Sequence, residues 1–369
     1  MYDDRPTPQL TADVWLRGFA DRYLRDYVPS GGSVIRFVSG TDPALALVQS
    51  GLQSLAAEGN YHYCLLDANR RTAEDKPPNL HSIERFYAAV TEHVDWLEWA
   101  EEQARKALSE LGLDLPDGVD LGDLEAIAEA NRTDPKHITN RVEWAMRDER
   151  RDRSTTIEYH SATTNLWVDW LLPDKAIPGR RKVLSAWLSG ETPPTGGASV
   201  LKRYQIYGKI GPANGRHFLA SFCEWLRQVG RSGLLVTLDF RAYERSGRRR
   251  SPSETALASL RSAHKNGADF DELYRLLELA KSDDGGLGYG KRPYEQMLSL
   301  LRRFIDEIDR FRSFALVVLM SPQYFAPNDP HERRYTDYSA LSTRIGDEVS
   351  DRHRANPDAA LVRLGEVER

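Results

Sequence analysis

Gly40-Thr41-Asp42-Pro43-Ala44-Leu45-Ala46-Leu47 follows an apolar run, Val34–Val38, and leads into Val48, Leu52 and Leu55 at helical spacing. Strand, tight turn and helix in that order can present backbone N–H groups and a helix N-terminus to phosphates. A working phosphate loop needs G-x-x-x-x-G-K-[ST], the lysine for the phosphates and the hydroxyl for Mg²⁺. Here the second glycine is Leu45, the lysine is Ala46 and the hydroxyl residue is Leu47. Gly40, Thr41 and Asp42 are left as a degenerate nucleotide-binding turn. The missing lysine removes a charge-assisted contact, and Asp42 would repel a phosphate. The expectation is no cofactor, with ATP–Mg²⁺ as the one candidate.

Two other strand ends carry matching chemistry. Leu234-Leu-Val-Thr-Leu-Asp239 reads as a buried strand ending in an acid, where nucleotide hydrolases hold Mg²⁺. The next position, which in such enzymes carries a glutamate base, is Phe240, so no catalytic residue is assigned. A third apolar run, Phe314–Met320, ends at Ser321, the place of a polar γ-phosphate sensor. Asp67 closes a further short strand, so both acids stand at strand C-termini, the usual place for a site. Asp239 could hold a metal, but a lone acid beside Phe240 and Leu47 is read first as capping or hydrogen-bonding a neighbouring loop.

Arg245, Arg248, Arg249 and Arg250 form the sharpest local basic cluster and are the candidate DNA contacts. Few aromatic residues are interleaved with them, so a base-stacking platform is not indicated. The histidines are scattered without metal-ligand spacing, Cys64 and Cys223 are too few for a metal knuckle, and no metal site is expected.

The elements that must position these residues read in order. Residues 9–28 form an amphipathic helix, Gly31-Gly32 delivers the strand at 34–38, and Tyr61–Asp67 is a second strand. Strand, helix and strand with short turns make a βαβ unit and a parallel sheet. From 93 to 228 helical periods take over, with Trp144, Trp167, Trp170 and Trp187 read as core. Strands return at 234–239 and 314–320, a helix is expected over 338–352, and Ala359–Leu364 reads as a last short strand. The expected organisation is residues 1–92 and 229–369 as one α/β core, interrupted by a helical insertion at 93–228.

The chain has 369 residues with 40% hydrophobic and 28% charged content, enough for a sizeable core. A net charge of −5 gives no overall pull toward nucleic acid, so any basic surface is local. An acidic, polar start and the lack of a long apolar run argue against a signal peptide and a membrane span. A cytoplasmic protein with reduced cysteines is expected.

In order along the chain, several motifs resemble the P-loop ATP-binding proteins of BREX-type phage-defence operons and their phosphorothioation-linked relatives. They are Gly31–Phe37 (G-G-S-x-I-R-F), the Gly40 window, Leu80-His81 with Tyr87, Trp187–Glu191 (W-L-x-G-E), Gly233–Asp239, and Tyr338-x-Ala340-Leu341-x-x-Arg344. The resemblance implies a parallel P-loop NTPase sheet of the AAA+/ASCE type flanked by helices. The chain departs from that family at Ala46, Leu47 and Phe240, where the family is catalytic. The function expected is a non-catalytic pseudo-ATPase subunit of an anti-phage defence complex, a scaffold for an ATPase or nuclease partner. Two alternatives stand beside it: an ATP-binding protein of the same system with an atypical phosphate loop, and a DNA-binding module using the Arg245–Arg250 loop.

Overall fold

The computed structural model describes residues 10–70, 78–116, 118–149, 154–172, 179–245, 254–265, 267, 269–273, 276, 289–325, 333–345 and 356–365. In chain order the elements are helix α1 (Ala12–Phe19), β1 (Ser33–Ser39), α2 (Asp42–Glu58), β2 (His62–Asp67) and helices α3 (Ile83–Thr91) and α4 (Trp96–Glu110). There follow α5 (Leu124–Ala130), α6 (Pro135–Glu149), α7 (Ile157–Leu171), α8 (Arg180–Leu188), α9 (Gly197–Arg203) and α10 (Gly215–Gln228). Then come β3 (Leu234–Asp239), the short α11 (Arg241–Glu244), α12 (Glu254–Lys265), the helix Lys291–Asp306, β4 (Phe314–Met320), the helix Ser339–Ile345 and β5 (Leu361–Arg363). They fall into two compact units: residues 1–81, 234–309 and 314–369, and residues 82–233 with 310–313.

The first unit is α/β. Its five strands are all parallel and lie in the order β2-β3-β4-β1-β5. Every residue of β3 and β4 is buried, as expected of central parallel strands covered on both faces, whose sequences are continuous apolar runs rather than alternating ones. Register places Asp67 opposite Asp239, Asp239 opposite Leu319, and Ser39 opposite Met320, so the four strand ends finish level along one sheet edge. Helix α2 covers one face with Ala44, Leu45, Val48, Leu52 and Ala56, a stripe at the helical repeat. That stripe joins Trp15, Phe19, Val38, Leu235, Val317 and Leu319 in one core. α1 begins at Thr11, whose hydroxyl accepts from the Val14 amide at 3.4 Å, and passes into a π-helical turn over Ala20–Leu24.

The second unit is helical. Its centre is aromatic: Trp96, Trp99, Phe222 and Trp225 pack with centroids 4.8–6.2 Å apart. Polar handles are placed as well as rings: the Trp96 indole donates to Ser189 Oγ at 3.0 Å, Trp187 to the Gly208 carbonyl at 2.9 Å, and the Tyr87 hydroxyl to the Leu188 carbonyl at 2.7 Å. Trp144 corrects the sequence expectation. It lies 69% exposed on α6, whereas Trp167 and Trp187 are buried. Helical spacing groups tryptophans on a face; it does not say that the face is covered.

Gly233, the last residue of the long segment, has φ +144°, and a Cβ there would stand 2.2 Å from the Ser313 carbonyl oxygen. Backbone conformation and space both exclude a side chain. Gly233→Ala is therefore expected to destabilise by more than about 1 kcal/mol, the size of the glycine conformational term alone, with a correspondingly lower denaturation midpoint. An unchanged midpoint would mean that the backbone shifts freely there.

Candidate functional site

In an open parallel sheet, sites form beyond the carboxyl ends of the strands, where the strand order reverses. Here that place lies between β1 and β4: the chain leaves β1 for β2 at one edge, and leaves β4 for β5 on the other side of β1. Gly40, Thr41 and Asp42 follow β1, Ser321 follows β4 and Asp239 closes the neighbouring β3, so the topology gathers the residues singled out from the sequence at one end of the sheet.

The turn itself is shorter than its sequence window. β1 ends at Ser39 and α2 begins at Asp42, so only Gly40 and Thr41 are non-helical. Gly40 spends its N–H on the Met320 carbonyl at 3.2 Å, and the Leu45 N–H closes on the Thr41 carbonyl at 2.9 Å as an ordinary helical bond. Pro43 in the first turn has no N–H to offer. Leu45 is fully buried and Ala46 and Leu47 continue the helix. An eight-residue loop with inward N–H groups does not form. The reason is local: with no glycine at 45 to take an unusual backbone conformation, Ala-Leu-Ala-Leu follows its helix propensity.

A cation stands among the acids. The Arg241 guanidinium donates from Nε to Asp239 Oδ1 at 2.9 Å and from Nη2 to Asp239 Oδ2 at 2.5 Å, a two-pronged grip. Its third nitrogen, Nη1, reaches Asp42 Oδ1 at 2.5 Å, across 199 residues of sequence. Asp239 Oδ1 also accepts the Arg241 backbone N–H at 3.1 Å, opening α11. Asp239 is only 3% exposed. Hydrogen bonding to Asp239 holds the Arg241 proton more tightly than usual. One guanidinium thus compensates both carboxylates that could have received a metal ion.

Ser321 is equally engaged. Glu244, on α11, accepts from the Ser321 N–H at 2.8 Å and from its hydroxyl. Burial, with Asp239 nearby adding to it, pushes the Glu244 carboxyl up to about 7 against the bonds from Ser321. Phe240 is fully buried, stacked on Tyr243 at 5.5 Å and edge-on to Tyr324 at 5.6 Å. Its position is a member of an aromatic core. Asp67 Oδ1 accepts from the Asn69 N–H at 2.7 Å, closing a local turn.

Of the basic cluster, Arg245 donates to Asn69 Oδ1 at 2.9 Å; Arg248, Arg249 and Arg250 lie outside the described residues. Among the described residues no group of three or more His, Cys, Asp or Glu is placed to hold a metal, and no helix is long and apolar enough to cross a membrane. Cys64 and Cys223 are both buried. Two residues that shape the site escaped the sequence reading, Arg241 and Glu244. Arg241 had a signal, since a side chain two residues after an aspartate at a strand end can fold back on it. Glu244 had none, because its partner is Ser321.

The raised Glu244 value has a consequence with a definite sign. Between about 4.5 and 7 the folded protein holds a proton that the unfolded chain releases, so this group's contribution to stability falls as pH rises through that window and is level above it. Glu244→Gln removes the slope: relative to the parent, it should gain stability from pH 5 to pH 8, by on the order of 3 kcal/mol at most. Denaturant unfolding at the two pH values measures this, and parallel profiles would sink it.

Compared with protein-family models, with characterised proteins and with solved structures, the chain finds no match.

Proposed function

We propose that this chain is a degenerate P-loop protein that neither hydrolyses nor grips a nucleoside triphosphate, and that it serves as a scaffold or adaptor in a bacterial anti-phage defence complex. The observation that carries the non-catalytic part is the Asp42–Arg241–Asp239 bridge at the end of the sheet. A turn of two residues adds to it: the backbone that would surround phosphates is already sheet and helix. The five-strand order, with the turn-bearing β1 beside β4 and between it and β5, supports a P-loop ancestry of the AAA+/ASCE kind.

The defence context rests on the ordered motifs from Gly31 to Arg344. A fold that keeps its core without the gripping residues is retained for its surfaces, and a protein partner, an ATPase or a nuclease, is the reading that follows. Affinity purification from the native cell tests it. An ATPase or nuclease should co-elute in fixed ratio. Recovery of this chain alone, from cells expressing its neighbouring genes, would remove the adaptor reading.

A further inference from the structure

The helical unit holds a cleft of about 380 Å³ that the nucleotide-like end of the sheet does not involve, bounded by α4, α7 and α10. That is the size range of small-molecule sites. Its lining includes Trp99 and Trp225, whose rings are 5.0 Å apart and nearly perpendicular. Both indole N–H groups are shielded from solvent and meet no acceptor. Being shielded, these donors are out of reach of a molecule in the cleft, and packing alone holds the two rings in place. The lining also carries two amides, Gln103 and Gln228, the latter donating to Ser154 Oγ at 2.9 Å. The lining's Lys106 and Glu110 stand 3.8 Å apart and balance in formal charge, with His160 the other titratable side chain of the lining.

We infer that this cleft binds a neutral, planar nitrogen heterocycle of nucleobase type, stacked against Trp99 and read at its edge by Gln103 and Gln228. Aromatic floors suit flat rings whatever their sequence. Amides match an edge that both donates and accepts. The balanced Lys106–Glu110 pair gives no preference for an acid or an amine. The ring could arrive as a free nucleoside or as an unstacked base of a single strand, and the two sources present the same chemistry.

The test titrates the full chain with adenosine, thymidine and a twelve-residue oligothymidylate, followed by tryptophan fluorescence and by saturation-transfer NMR. Saturable binding of a nucleoside, with half-saturation below about 1 mM, is expected, and Trp99→Leu should weaken it at least about fivefold, the lower end of the stacking contribution. Gln103→Ala, a part-exposed site, serves as the second variant should Trp99→Leu fail to fold, and should also weaken binding. Tighter binding of the oligomer than of thymidine assigns the strand as source; equal binding assigns the free nucleoside. No saturation by any of the three probes, or saturation that neither variant alters, would overturn the inference. Because Trp99 and Gln103 lie in the helical unit, loss of binding in their variants is read separately from the reading given to the sheet.

Discussion

Arg241→Ala is expected to destabilise the protein by about 3–5 kcal/mol, the range for a buried pair that loses one partner. Asp239 is the reason. It is 3% exposed and takes two side-chain bonds from Arg241; without them its charge stays buried with little beyond a backbone N–H. The Asp42 end matters less, since that carboxylate is 85% exposed and water replaces the guanidinium there. The same logic predicts a rescue: Asp239→Asn combined with Arg241→Ala buries a neutral amide and should recover most of the loss. Denaturant unfolding of the parent, both single variants and the double variant reads this as a coupling energy. A single variant within about 1 kcal/mol of the parent, outside the buried-pair range, would show that the bridge is only a surface contact.

Phe240→Glu, which introduces the residue type that the proposed P-loop reading would have as a base here, should abolish folding before it could create activity. Removing the ring from a fully buried site costs about 3–5 kcal/mol, and a carboxylate placed among Tyr243, Tyr294 and Tyr324 adds the burial of a charge without a built partner. Against a typical stability of about 5–15 kcal/mol, little or nothing remains. Phe240→Leu, which keeps the apolar volume approximately, should cost less than about 1.5 kcal/mol and serves as control. Soluble, cooperatively folding Phe240→Glu protein would contradict the aromatic-core assignment, and ATP turnover by it would contradict the larger reading.

What was legible in the sequence follows physical lines. β3 and β4 could be read because strands buried on both faces are uniformly apolar, and α2 because its core face repeats at Leu45, Val48 and Leu52. That the Gly40 window carries no lysine and no following hydroxyl was legible too, since it needs only residue types at fixed spacing. The width of the turn was not. A motif window counts eight positions whether or not the chain has already entered a helix, and here it enters at Asp42. Nor could the sequence show that Asp42 meets Arg241, or Ser321 meets Glu244, because 199 and 77 residues separate them and only the sheet order brings them together. Trp144 makes the same point from the helical unit: its type argues for burial, and its packing leaves it in water.

The most direct measurement compares the thermal shift given by ATP–Mg²⁺ with that given by adenosine at the same concentrations, in the parent and in Asp239→Asn. Adenosine carries the base without the phosphates, so the difference isolates the end of the sheet where Arg241 sits between two acids. The account predicts no added stabilisation by ATP–Mg²⁺ up to about 1 mM, the weak limit of useful affinity. A saturable added shift that Asp239→Asn abolishes would contradict it and make a nucleoside triphosphate a ligand of this sheet.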